Sequence, residues 1–311
     1  MHTTIPTFEP VTELNIDARR YLAANRDLRK AFGNDEVNAR RHFFEYGFKE
    51  NRRQLTAEFV SDNHRVAKAK LFKAALSIQG IERFPVQVGA SIYSLEDYAA
   101  ESSNAAPSFW EHELETNSNK LYADIGAGVR DSVRVNCVYV EVYPSVTADL
   151  LIDQSCALPF SDASLDGIGC FAVLEHAEKP WKLASEFGRV VRPGGKIFID
   201  WPFLQPVHGF PSHYFNATRE GLRSLFADSF YVDSLFTGPY QGPDFTVSWI
   251  LNTLIQNIKD ESIRDKFTQM TVGNLCDEAT QGAIWSMILS SMDDSVISTL
   301  SCGNTLIGIK K

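Results

Sequence analysis

Hydrophobic and polar positions alternate along this chain with two different periods. In residues 18–32 the apolar side chains Tyr21, Leu22, Leu28 and Phe32 recur at helical spacing, and Gly33-Asn34-Asp35 stops the pattern. Residues 37–46 repeat it, with Phe43, Phe44 and Tyr46 expected to be buried and Gly47 ending the helix. A third helix is expected over 55–76, with Phe59, Val66, Leu71 and Phe72 on its apolar side. Residues 77–119 are mixed, with a short strand expected within 81–88 and a loop at 102–108. From residue 121 onward, short apolar runs replace the helical period. Strands are expected at 121–125, 137–142, 148–153, 167–173, 196–201, 231–236 and 304–309, and helices at 181–191 and 219–226, the latter capped by Thr218.

Alternating strands and helices imply an α/β fold with a mostly parallel sheet. Two connections are too short for it. Only residues 129–136 separate the first two strands, and only 143–147 the next two. A parallel crossover ordinarily takes a dozen or more residues with a helix. Both crossover helices are therefore expected to be lost or cut to single turns. The sheet face left bare would expose apolar surface, and the helices of residues 1–76 are expected to help cover it.

The division expected is a helical module at 1–76, a linker and approach segment at 77–119, and a main domain at 120–311 with a helical insertion at about 240–300. The insertion carries Trp249, Ile250, Leu254, Trp285, Met287 and Leu289. That content suits a lid, extra core or a homodimer surface, with core or dimer favoured. A net charge of −9 argues against nonspecific nucleic-acid binding. No apolar run reaches membrane-spanning length, and the first residues show no secretory signal. The five cysteines are scattered and form no C-x-x-C pair, so neither a zinc site nor a disulfide framework is indicated, and a reducing cytoplasm is the expected compartment.

The chemistry concentrates at residues 121–136, LYADIGAGVRDSVRVN. A buried strand carrying Asp124 meets the glycine pair Gly126 and Gly128, a turn whose backbone a ligand can approach closely. The dinucleotide fingerprint needs a third glycine where Asp131 stands, which argues against a nicotinamide cofactor. The D-I-G-A-G pattern resembles the first motif of class I S-adenosylmethionine (SAM) dependent methyltransferases. Leu158-Pro159-Phe160 follows Asp153 and Gln154, similar to that family's G-D-A-x-x-L-P-F segment, although Gln154 stands at the acid's place. The string EHAEKPWKLASEFGRVVRPGGKIFI, preceded by V-L, matches the family's strand–helix–PGG–strand half. The run PFLQPVHGFPSHY is similar to a methyltransferase type 11-like subgroup in bacterial glycan clusters, with His213 in place of the usual acid. The module at the start resembles a short helical unit of bacterial surface-glycan and secreted proteins. Its basic side chains, Arg40, Arg41, Lys49, Arg52 and Arg53, read as a solvated face more readily than as a site for an anion.

The resemblance implies a Rossmann-like class I methyltransferase sheet whose last strand is antiparallel, and SAM as methyl donor. On it, Gly126, Gly128 and Asp124 would meet the methionine end, Glu141 the ribose, and Asp153 or Gln154 the adenine, with Leu158 and Phe160 beside the ring. Phe109 or Trp110 would lie over the cofactor or, more simply, pack on the sheet. His176, His208 and His213 follow strands four and five and are the candidate bases for a hydroxyl acceptor. The acceptor expected is a small molecule or a glycan. The rival expectation is a methyltransferase-like binding or scaffold protein that has lost catalysis.

Overall fold

A computed structural model describes residues 4–94, 105–257, 261, 265 and 303–311. Beyond residue 257 the expected helical insertion, with Trp285, Met287 and Leu289, lies outside the described residues except for 261 and 265, as do Cys276 and Cys302.

In chain order the elements are β1 (Thr4–Pro6), β2 (Phe8–Pro10), α1 (Ala18–Ala24), α2 (Arg26–Phe32), α3 (Glu36–His42), a π-helical turn (Phe43–Gly47), β3 (Arg53–Leu55), α4 (Ala57–Val60) and α5 (Asn63–Phe72). Then come β4 (Val86–Gln87), α6 (Ser108–Thr116), β5 (Tyr122–Ile125), β6 (Ser132–Arg134), β7 (Cys137–Glu141), β8 (Leu150–Leu151), β9 (Leu165–Phe171) and a 3₁₀ turn (Leu174–His176). The last are α7 (Pro180–Val190), β10 (Val191–Pro202), α8 (Arg219–Phe226), β11 (Phe230–Phe236), α9 (Pro243–Asn257) and β12 (Gly303–Lys310). Eight strands form a sheet in the order β11-β12-β10-β9-β5-β7-β8-β4. β5, β7, β8 and β4 pair in parallel, and β12 runs antiparallel to both its neighbours, β10 and β11. This is the α/β arrangement expected, with the last strand reversed. The chain divides into two compact units, residues 1–169 with 190–192, and residues 170–189 with 193–311.

In the first unit both short connections lack a crossover helix. The first is a strand instead: β6 pairs antiparallel with β1, register Ile5 to Val133, so the start of the chain occupies part of the gap. α5 lies against the strands. Its Lys68, Ala69 and Phe72 are buried, and Lys68 Nζ reaches Asp149 Oδ2 at 2.6 Å and sits 4.6 Å from the Tyr139 ring centre. Leu76 bridges to Phe160, and Ser161 donates to the Ala75 carbonyl. Trp110 on α6 is fully buried and meets Tyr122 edge-on, so it packs on the sheet.

The first helices depart from expectation. The helix expected over 18–32 breaks at Asn25, whose backbone is extended and whose amide donates to the Tyr21 and Arg53 carbonyls. Phe43 is buried as expected, but Phe44 and Tyr46 are exposed, because the π turn changes the angle per residue that set their face. Gly47 is fixed there by the Tyr21 hydroxyl, which leaves no room for a Cβ. The helix expected over 55–76 splits at Asp62, whose φ is +61°, and Val66 and Leu71 turn outward.

In the second unit α7 buries Ala184 and Phe187, whereas Trp181 is exposed. Pro193-Gly194-Gly195 lies inside the span of β10, which follows α7 directly. Thr218 caps α8 by accepting from the Gly221 N–H.

Candidate functional site

The glycine turn lies in the first unit. β5 ends at Ile125, and Gly126 and Gly128 take φ of +66° and +62°, a backbone that L side chains rarely adopt. The glycines are there to make the turn. Its amides, which the resemblance would turn toward the methionine end of the donor, are engaged within the chain, since buried backbone donors must find acceptors. Gly126 N–H and Ala127 N–H both point to the Val140 carbonyl, at 2.9 and 3.3 Å, and Gly128 N–H donates to Glu141 Oε1 at 2.6 Å. The Gly128 carbonyl accepts from the Ser145 and Thr147 hydroxyls.

On the resemblance, Asp124 would meet the ammonium of the donor's methionine end. It meets Arg130 instead. The guanidinium donates from Nε and Nη2 to the two carboxylate oxygens, each at 3.0 Å, and both side chains are buried. No sequence pattern announced Arg130, which is one basic residue after a glycine turn and has no periodic partner.

Glu141 stands at the carboxyl end of β7 with its side chain folded onto the turn. Oε1 accepts from Gly128 and Oε2 from the Val142 N–H at 3.0 Å. A carboxylate offers about four lone-pair positions, so two remain. Burial pushes the Glu141 carboxyl up to about 7, against the pull of those two N–H donors and of Arg130. An acid raised in this way holds its proton in the fold while the unfolded chain, near 4.5, has lost it. Its contribution is therefore complete below about pH 4.5 and is lost as pH rises through about 7, a fall of about 3 kcal/mol. Glu141→Gln is expected to lack that fall. Urea midpoints at pH 5 and pH 8 measure it: the wild type should lose more stability between them than the variant.

Asp153 and Gln154 follow β8. The Ser155 side chain, and with it the Ser155 N–H that donates to Asp153 Oδ1, holds the Asp153 carboxyl below the ordinary carboxylate value. Gly89, at φ +98°, lies so close that a Cβ there would fall 2.7 Å from Asp153 Oδ2. Gln154 is exposed and its amide donates to the Tyr93 hydroxyl. Leu158 and Phe160 are buried, which leaves them as core.

The histidines lie in the second unit, and the structure brings all three together. Ring centres of His176, His208 and His213 are 4.6 to 5.7 Å apart. The loop that carries two of them is tied to the 3₁₀ turn by the Tyr214 N–H on the Glu175 carbonyl, 2.6 Å, and to β10 by Trp201 Nε1 on the Phe215 carbonyl, 2.9 Å. Gly209 is obligatory here, because a Cβ would stand 2.3 Å from His176 Cε1. Burial pulls His176 and His208 below the ordinary histidine value, which favours their neutral form. Glu175 is fully buried beside them, and neither of its carboxylate oxygens has a hydrogen-bond partner. Burial pushes its carboxyl up to about 8 against the pull of its own backbone N–H, which falls short of hydrogen-bond geometry, and the charge of Asp200 adds to the rise. Sequence reasoning named His176 and passed over Glu175, although V-L-E-H displayed both. A cavity of about 400 Å³ in the same unit is lined by Gln205, Tyr240, Phe245, Ser248, Trp249, Asn252 and Thr253, and the Trp249 ring lies 4.9 Å from that of His208.

Residues 115–199, which span the glycine turn, Glu141, Asp153 and V-L-E-H, match the family model described as a methyltransferase domain. An uncharacterized methyltransferase of Mycobacterium tuberculosis is 38% identical over 71 residues, covering 22% of this chain and 28% of the relative. One from Mycobacterium avium is 38% identical over 87 residues, covering 26% and 34%. The chain thus spans about a third or less of the length of the curated relatives it matches. Among solved structures, a Haemonchus contortus phosphoethanolamine N-methyltransferase, determined with phosphomonomethylethanolamine and S-adenosylhomocysteine, aligns at 16% identity over 66% of this chain and 54% of its own, TM-score 0.34. A SAM-dependent methyltransferase from Aquifex aeolicus aligns at 13% identity over 40% and 81%, TM-score 0.32.

Proposed function

We propose that this chain is a methyltransferase that transfers the methyl group of SAM to a small-molecule or glycan-type acceptor. The observation that carries the reading is the coincidence of the methyltransferase-domain match at 115–199 with a left-handed glycine turn and a carboxylate at the end of the adjacent parallel strand. The residues fit the donor in part. Glu141 keeps lone pairs that two ribose hydroxyls could use. Asp153 is partly exposed and sits just after β8, so its carboxylate is within reach of solvent and of a ligand amine. The turn amides and Asp124 are committed within the chain, so the methionine end takes no contact from them as they stand. SAM supplies an activated methyl on a sulfonium. The chain's own task is to hold and orient that group and to keep the acceptor in line with it.

The acceptor class rests on the second unit's cavity. Aromatic faces (Tyr240, Phe245, Trp249) alternate there with amides and hydroxyls (Gln205, Asn252, Ser248, Thr253), a lining suited to a polyhydroxylated ring. Of the three histidines, His176 and His208 keep an Nε2 lone pair that could take the proton of a hydroxyl acceptor, whereas both ring nitrogens of His213 are engaged.

The committed turn amides and the Asp124–Arg130 pair favour a second reading, a methyltransferase-like binding protein without turnover. Calorimetry of the full chain with SAM and with S-adenosylhomocysteine tests both. Glu141→Ala is expected to weaken SAM binding by about 1–3 kcal/mol, roughly 5- to 150-fold, from lost charge-assisted bonds. No binding of either ligand by the wild type would end the first reading. Binding without methylation of any acceptor would favour the second.

A further inference from the structure

The geometry points to a divalent transition-metal site formed by Glu175, His176 and His208. One donor atom from each of the three lies within 4.8 Å of the other two, and His176 Nε2 stands 3.9 Å from Glu175 Oε1. All three belong to the second unit.

The hydrogen bonds select the donor atoms. His176 Nδ1 lies 2.9 Å from the Ser212 carbonyl and His208 Nδ1 lies 2.8 Å from the Pro206 carbonyl. A carbonyl oxygen only accepts, so in each ring Nδ1 carries the proton and Nε2 keeps its lone pair. A ring N–H held by a backbone carbonyl is the usual outer support of a metal-binding histidine; it fixes both tautomer and orientation. Two imidazoles supported in this way stand beside a carboxylate. The third imidazole differs. His213 Nδ1 accepts from the His208 backbone N–H at 3.4 Å, and its Nε2 faces the Asn216 side-chain oxygen Oδ1 at 2.6 Å. Its lone pair is spent, and it does not belong to the ligand set.

Glu175 is the independent observation. Its side chain has no exposure and both oxygens lack a hydrogen-bond partner. Burying a carboxyl group without partners is costly, and a bound cation is the partner that would offset it. Two nitrogen donors, one carboxylate and no thiolate suit zinc-class ions better than magnesium or calcium, which take oxygen ligands. Two donors on one such ion stand roughly 3–4 Å apart, so a contraction of about 1 Å seats it. Cysteine spacing carries no sign of this site, because its ligands are histidines and an acid on two distant segments. Bound there, the ion would leave positions open for water or a substrate oxygen.

Titration of the metal-stripped full chain with Co²⁺, read by its visible ligand-field bands, tests the site and does not involve SAM. One equivalent is expected to bind and to be displaced by Zn²⁺. His208→Ala, on a surface loop, and Glu175→Gln should each weaken binding by about tenfold or more, whereas His213→Ala should leave it within about threefold. Circular dichroism confirms that each variant is folded. The absence of ligand-field bands in the wild type overturns the assignment, and so does a His208→Ala variant that binds as tightly as wild type.

Discussion

Lys68→Ala is expected to destabilise the protein by about 3–5 kcal/mol, the cost of leaving a buried charge without its partner. Lys68 Nζ and Asp149 Oδ2 are 2.6 Å apart and both side chains are almost fully buried. The same carboxylate oxygen accepts the Tyr139 N–H at 3.0 Å, so Asp149 also ties the middle of β7 to the segment that leads into β8. Lys68 rides on α5, and its stem is buried with Ala69 and Phe72. Removing the ammonium therefore strands an anion between helix and strands. Lys68→Met, which keeps the stem, should recover little, since the stranded charge and not the lost packing dominates. The double variant Lys68→Met/Asp149→Asn should recover most of the loss, because the amide oxygen can still accept from Tyr139. Urea unfolding of the single variants and the double variant measures this, and a Lys68→Ala loss below about 1 kcal/mol would place the pair among solvent-screened surface bridges.

That ion pair shows what the sequence could and could not disclose. The strands at the sheet's centre were legible because each is an apolar run of the right length: 122–125, 137–141 and 165–171 fall where the runs do. α8 was legible for a second reason, a threonine cap ahead of an amphipathic turn. The absence of crossover helices followed from chain length alone. That one of the gaps would be used by a strand pairing with residues 4–6 did not follow, because β1 and β6 are three residues each and carry no period of their own. Asn25 breaks a helix for a partner in β3, and Lys68 pairs with an acid far along the chain; such contacts leave no trace in local periodicity.

The candidate site divides in the same way. The glycines of the turn, Glu141 and the three histidines were visible as residue types at strand ends. What each side chain touches was not. Glu141 turns back to its own loop, Asp124 is matched by Arg130, and His213 spends its lone pair on a neighbouring backbone N–H. A motif states which groups are present at a strand's end; only the packing states which of them remain available to a ligand.

Arg130→Ala carries the second large expected effect, about 3–5 kcal/mol of stability, and it bears on function as well. The Asp124 carboxylate has no exposure, and both its oxygens are held by Arg130 at 3.0 Å. Without the guanidinium, an anion is left beneath the glycine turn. The Arg130 N–H donates to the Thr147 hydroxyl that holds the Gly128 carbonyl; alanine preserves that backbone bond, so the loss measured reports the side-chain pair and not the turn's own hydrogen bonds. Asp124→Asn/Arg130→Met, which removes both charges at similar volume, should return most of the stability. SAM affinity in this double variant then separates two roles for the pair. A structural clamp predicts affinity within about threefold of wild type once stability is restored, with Glu141→Ala remaining the damaging change. A carboxylate that exchanges Arg130 for the donor's ammonium predicts a loss of about tenfold or more. Calorimetry on the double variant decides between them, and the first outcome is the one expected from two buried hydrogen bonds that already satisfy Asp124.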